Sequence, residues 1–103
     1  MSASIFIVNL TYVTEIEQVE PLLAPHIAFL EHFYANGTFI ASGRKIPRTG
    51  GVILAKASSE AELLDIVRQD PFYVAEVARY DIIEFVPSKF ASCFTEVEKY
   101  LNS

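Results

Sequence analysis

Three short apolar runs constrain this chain more than any other feature. They are Ile5-Phe6-Ile7-Val8, Val52-Ile53-Leu54-Ala55 and Ile82-Ile83-Glu84-Phe85-Val86. Each is rich in β-branched and aromatic side chains, which fit a pleated and buried surface, so each reads as a strand. None alternates strictly between apolar and polar residues. A strand of that kind expects cover on both faces of its sheet. A fourth strand is read at Thr38 to Gly43, and the strand around Val52 extends over Gly51 to Ala57. The seven residues between these two, Arg44 to Gly50, are too few for a helix, so the pair forms an antiparallel hairpin.

The segments between the strands carry helical periodicity. From Glu17 to about Asn36, Val19, Leu22, Leu23, Ile27, Leu30, Phe33 and Tyr34 recur at steps of three and four. Pro21 and Pro25 require the regular helix to begin near one of them, because proline is tolerated only in a first turn. Asn36-Gly37 supplies its C-terminal stop. Ser59 and Glu62 have capping-box spacing, with Ala61, Leu64 and Val67 as the apolar face of a second helix. Asp70-Pro71 ends that helix, since the residue before proline is driven out of the helical region. A short helical turn is expected over Pro71 to Arg79, and a terminal helix over Thr95 to Leu101. The order is βαββαβ, a ferredoxin-like α+β fold with a four-stranded antiparallel sheet. Two helices cover one sheet face only. A second copy of the same sheet is the economical cover for the other, so a homodimer through the sheet face is expected.

At 103 residues the chain is read as one domain, with its core at 5–90 and an extension at 91–103. It is 51% hydrophobic, yet no run approaches the roughly 18 apolar residues of a membrane span. Met1-Ser2-Ala3-Ser4 has no basic patch and no signal-peptide pattern, so a cytoplasmic protein without a membrane partner is expected. A net charge of −5 without a clustered basic footprint argues against nucleic acid as partner. The lone Cys93 permits no internal disulfide or cysteine metal site and is read as inert packing.

The reactive residues are few. His26 shares the inward stripe of the first helix, whereas His32 lies about 120° around it, toward solvent. Topology brings the start of that helix, the hairpin loop and the end of the second helix to one end of the sheet. His26, Asp70 and the cations Arg44, Lys45 and Arg48 therefore converge there. An imidazole oriented by a carboxylate is a general acid–base group, and a cation beside it holds an anionic substrate. His26 and Asp70 are the candidate catalytic residues. Arg44, with Ser42 beside it, and Phe72 and Tyr73 beside Asp70, are the candidate substrate contacts. No metal is expected, since a zinc site would need His26, His32 and Asp70 together and the two histidines diverge.

Each of these residues also has a structural reading. An inward histidine can be a hydrogen-bonded core residue. Asp70 can serve only as N-cap for the turn at Pro71. The loop cations can be a solvated turn shaped by Pro47 and Gly50-Gly51. Tyr12, Tyr34, Tyr73 and Tyr80 read as rim or core residues, and Ser42 lacks a nucleophile elbow. The competing functional class is a non-catalytic module that binds a small acid in the same pocket.

Taken together, Pro25-His26 with Phe29-Leu30, Gly37-Thr38-Phe39-Ile40-Ala41-Ser42-Gly43, Pro47-Arg48-Thr49-Gly50-Gly51-Val52-Ile53-Leu54, Asp70-Pro71-Phe72 and Glu84-Phe85-Val86-Pro87 with Phe90 resemble the YciI-like (YCII-related domain) family. The resemblance covers about Ile5 to Phe90. It implies a dimeric α/β barrel related to muconolactone isomerases, with a His–Asp pair that maps onto His26 and Asp70. One branch is similar to a dehalogenase acting on chlorinated muconolactones. That implies a cofactor-independent lyase or isomerase that abstracts a proton from a small anionic or lactone-like molecule. Many members carry Gly-Pro where this chain has Gly43-Arg44, which makes the pocket mouth here more cationic. The segment from Ser92 to Ser103 extends past the usual end.

Overall fold

The computed structural model describes residues 4–101; Met1 to Ala3 and the end of the C-terminal extension, residues 102 and 103, lie outside the described residues. The elements run β1 (Ser4–Tyr12), α1 (Ile16–Val19), a 3-10 turn (Glu20–Leu22), α2 (Leu23–Ala35), β2 (Phe39–Arg44), β3 (Gly50–Ala57), α3 (Glu60–Val67), α4 (Pro71–Val74), β4 (Ala78–Phe85), a second 3-10 turn (Ser92–Phe94) and α5 (Thr95–Leu101). The sheet has the order β2-β3-β1-β4, with every neighbouring pair antiparallel. The expected α+β ferredoxin-like architecture is present.

The prolines set the helix boundaries. Pro21 sits in the first positions of the 3-10 turn that separates α1 from α2, and Pro25 lies in the first turn of α2. Gly37, at φ 83°, follows the Asn36 cap and ends α2. Ser59 caps α3, its hydroxyl accepting from the Glu62 N–H. The buried face of α3 differs from the expected one. Leu63 and Val67 are buried, while Leu64 is half-buried and Ala61 exposed, so the inward face is centred on Leu63 rather than Leu64. The turn after Asp70 is also shorter than expected. It ends at Val74, and β4 begins at Ala78, where pairing with Tyr12 outweighs the local helical preference.

Alternate residues of the sheet feed one core. Phe6, Val8 and Leu10 of β1, with Phe39, Ile53 and Ala55, pack against Val19, Phe29, Phe33, Leu63, Val67 and Phe72 from the helices. Ala78, Tyr80 and Ile82 of β4 join them on the same face. The opposite face carries Ile7, Val52 and Leu54, together with Ile83 and Phe85, which are 58% and 41% exposed. Within this single chain the core helices cover one face of the sheet. Cys93 is exposed rather than packed, since it falls in the extension beyond the core. No helix among the described residues is long and apolar enough to cross a membrane.

Candidate active site

His26 and Asp70 meet. His26 is held in the opening turn of α2, and Asp70 sits between α3 and α4, 44 residues away. His26 Nδ1 lies 2.7 Å from Asp70 Oδ1. An ionised carboxylate only accepts, so a neutral imidazole in this geometry donates from Nδ1 and carries its lone pair on Nε2. Phe72 stacks on the ring at 4.0 Å between centroids and 8° between planes, which fixes its tilt and closes one of its faces.

Asp70 is fully buried, and its burial is compensated at both oxygens. Oδ1 also accepts the Phe72 N–H at 3.0 Å, which is the N-cap bond expected of an aspartate before Pro71. Oδ2 accepts the Tyr80 hydroxyl at 2.6 Å. Asp70 is thus both cap and histidine partner. The cap bond and the histidine bond coexist, because one carboxylate oxygen has room for two donors. Burial, and after it the adjacent Asp70 carboxylate, push the Tyr80 phenol well above its ordinary range.

His26 lines a cavity of about 320 Å³, whereas Asp70 lies behind it and does not. The side chain of His26 is 13% exposed. With Nδ1 turned to Asp70, the opposite edge of the ring, which bears Nε2, makes no hydrogen bond among the described residues. Leu10, Leu23, Ile27, Leu30, Ile53 and Phe72 make most of the wall apolar. Arg44 and Ser42, on the helix-facing side of β2, supply the polar wall opposite the helix. Ser42 is bonded to the Tyr34 hydroxyl at 2.6 Å. Lys45 points elsewhere, its ammonium donating to Asn9 Oδ1 and Thr11 Oγ1, and Arg48 lies outside this cavity. His32 is exposed. Among the described residues no group of three or more His, Cys, Asp or Glu side chains is placed to hold a metal ion.

Of the expected contacts, His26, Ser42, Arg44 and Phe72 share the cavity, with Asp70 immediately behind it. Tyr73 does not join them. It faces a separate hollow with Val74, Glu76, Ala78 and Arg79, and packs edge-on against Tyr80. The short turn of α4 turns successive residues to different sides, so Phe72 points inward and Tyr73 outward. Tyr80 was missed as a partner of Asp70. The available signal was the alternation Ala78, Tyr80, Ile82 on β4, but locating that alternation requires the true start of the strand.

The YCII-related domain family model matches residues 5–86, and the chain belongs to this family. No curated protein matches it. The structure is similar to that of 5-chloro-2-hydroxyhydroquinone dehydrochlorinase from Burkholderia phenoliruptrix AC1100, solved in complex with 2,5-dihydroxybenzoquinone. The TM-score is 0.69 at 22% identity, over 79% of this chain and 92% of that one. At that identity the likeness is one of fold.

Proposed function

We propose that this YCII-domain chain is a cofactor-independent enzyme of the lyase or isomerase type, acting on a small anionic or lactone-like molecule. The observation that carries the reading is the 2.7 Å contact between His26 and Asp70, with the histidine lining a cavity and the aspartate sealed behind it. A histidine serving only the core has no need of an open cavity on its far edge. An aspartate serving only as cap has no need of a histidine.

In the proposed step, Nε2 takes a proton from a carbon next to an electron-withdrawing group of the substrate. The C–H electron pair forms a C=C bond. In the elimination branch, a leaving group such as halide departs with its own electron pair, and His26 returns the proton to solvent. In the isomerisation branch, the displaced π pair moves onto the electron-withdrawing group as an enolate, and it returns to form the new C–H bond when the imidazolium gives the proton back at another carbon. Asp70 fixes the tautomer that exposes a basic Nε2 and stabilises the imidazolium that forms. Arg44 pairs with the substrate anion or the developing enolate. The protein of similar fold is a dehydrochlorinase by name, solved with 2,5-dihydroxybenzoquinone bound, which supports the elimination branch.

The test is turnover by wild type and His26→Gln across a panel of lactones, haloaromatic diols and haloacids, beside ligand affinity by calorimetry. Lost turnover with retained affinity in His26→Gln supports the enzyme. Binding without turnover in wild type, across the whole panel, assigns the chain to the class of binding modules.

A further inference from the structure

Asp70 is held from a side that the proposed chemistry does not touch. Its Oδ2 accepts the Tyr80 hydroxyl at 2.6 Å, and Tyr80 comes from β4, on the far side of the carboxylate from α2. Tyr80 is not among the cavity-lining residues. It reaches the reacting end of the site only through Asp70. A phenol used merely to fill the core would not need to aim its hydroxyl at a fully buried carboxylate. Phenylalanine would fill the same space without the cost of burying a hydroxyl.

We propose that Tyr80 is a positioning residue that tunes His26 through Asp70, making a Tyr80–Asp70–His26 relay of hydrogen bonds. The two oxygens of a carboxylate share one charge. A strong donor at Oδ2 draws charge away from Oδ1 and weakens it as acceptor for the His26 Nδ1–H. The phenol thereby limits how tightly the imidazole is held and how strongly its cation is favoured. It also locks the carboxylate plane, so that Oδ1 stays directed at both His26 and the Phe72 N–H. Burial keeps the phenol a neutral donor across the working pH range. The other titratable groups around the pair are Tyr12 on β1, Tyr73 on α4 and Arg44 on β2. None of the three has a hydrogen bond to Asp70 among the described residues.

The inference rests on the acid–base reading of His26 for its purpose, but its test does not depend on turnover. The readout is the proton resonance of His26 Nδ1–H, which moves downfield as the acceptor strengthens. In Tyr80→Phe, which keeps the ring, the resonance should move downfield from its wild-type position. A fluorinated tyrosine at position 80 keeps the packing and donates more strongly, so it should move the resonance upfield even if the phenylalanine variant folds poorly. Tyr73→Phe should leave it in place. In an Asp70→Asn background, where the amide must donate to the phenol, Tyr80→Phe should give no downfield shift. A resonance unmoved by both changes at position 80, or a downfield shift that persists in the Asp70→Asn background, overturns the relay. A wild type without turnover but with the coupled resonance supports the relay and counts against the enzyme.

Discussion

Replacing Asp70 separates its structural work from its proposed chemical work. Two of its three donors, His26 Nδ1–H and Phe72 N–H, meet the same oxygen, Oδ1, and only Tyr80 meets Oδ2. Asparagine can therefore keep its carbonyl toward the first two and turn its amide NH2 to Tyr80, whose hydroxyl rotates to accept. The hydrogen bonds survive and the charge does not. We expect Asp70→Asn to cost about 1 kcal/mol of folding stability. Asp70→Ala forfeits the N-cap, about 1 kcal/mol, and orphans the donors of His26 and Tyr80. Both side chains are incompletely buried and recover some solvent, so each orphan is taken at the low end, about 1 kcal/mol. The alanine variant should lose about 3 kcal/mol, a large part of the roughly 10 kcal/mol typical of a chain this long. The chain has no tryptophan, so urea unfolding followed by far-UV circular dichroism is the suitable assay. Turnover should fall about 100-fold in Asp70→Asn, because the tautomer is kept while the imidazolium loses its counter-charge. Equal stabilities for the two variants, within about 0.5 kcal/mol, would refute the reading of Asp70 as a hub of three bonds. Unimpaired turnover in Asp70→Asn would refute its proposed chemical role.

Arg44→Gln should weaken binding of small carboxylates about tenfold while leaving the melting temperature within a few degrees, read by calorimetry and thermal unfolding. Gly50→Ala should cost about 3 kcal/mol or prevent folding, because the backbone sits at φ +155° and an added Cβ would fall 1.8 Å from the Leu10 carbonyl oxygen; soluble yield and urea midpoints check this. Stability should decline as pH rises above 10.0, the ordinary tyrosine value, since the unfolded chain ionises Tyr80 there and the folded one does not. The alkaline slope of the urea midpoint should be shallower in Tyr80→Phe. A homodimer through the face bearing Ile83 and Phe85 is proposed, so light scattering at micromolar concentration should give twice the chain mass, and Ile83→Lys should give the monomer.

Much of the fold is legible in the chain because the decisive signals are local. The apolar runs at Ile5, Val52 and Ile82 mark strands, and the stripe from Val19 to Phe33 marks a helix. Pro21, Gly37, Ser59 and Asp70 act on their own backbone, so their positions set element ends whatever lies across the molecule. These features alone settle the order βαββαβ, and with it the arrival of His26, Arg44 and Asp70 at one end of the sheet. What they leave open is rotation and register. Whether Leu63 or Leu64 faces inward, whether Tyr73 joins the cavity, and which oxygen of Asp70 meets which donor all turn on shifts of one residue or less. Only packing settles such shifts, because a hydrogen bond has a tolerance of a few tenths of an ångström and periodicity has none so fine. The same limit explains Tyr80, whose partner lies ten residues back and becomes a neighbour only when β4 pairs with β1. The chain determined which groups could meet. The tertiary structure decided that His26, Asp70 and Tyr80 do, because burying a carboxylate demands donors at both of its oxygens.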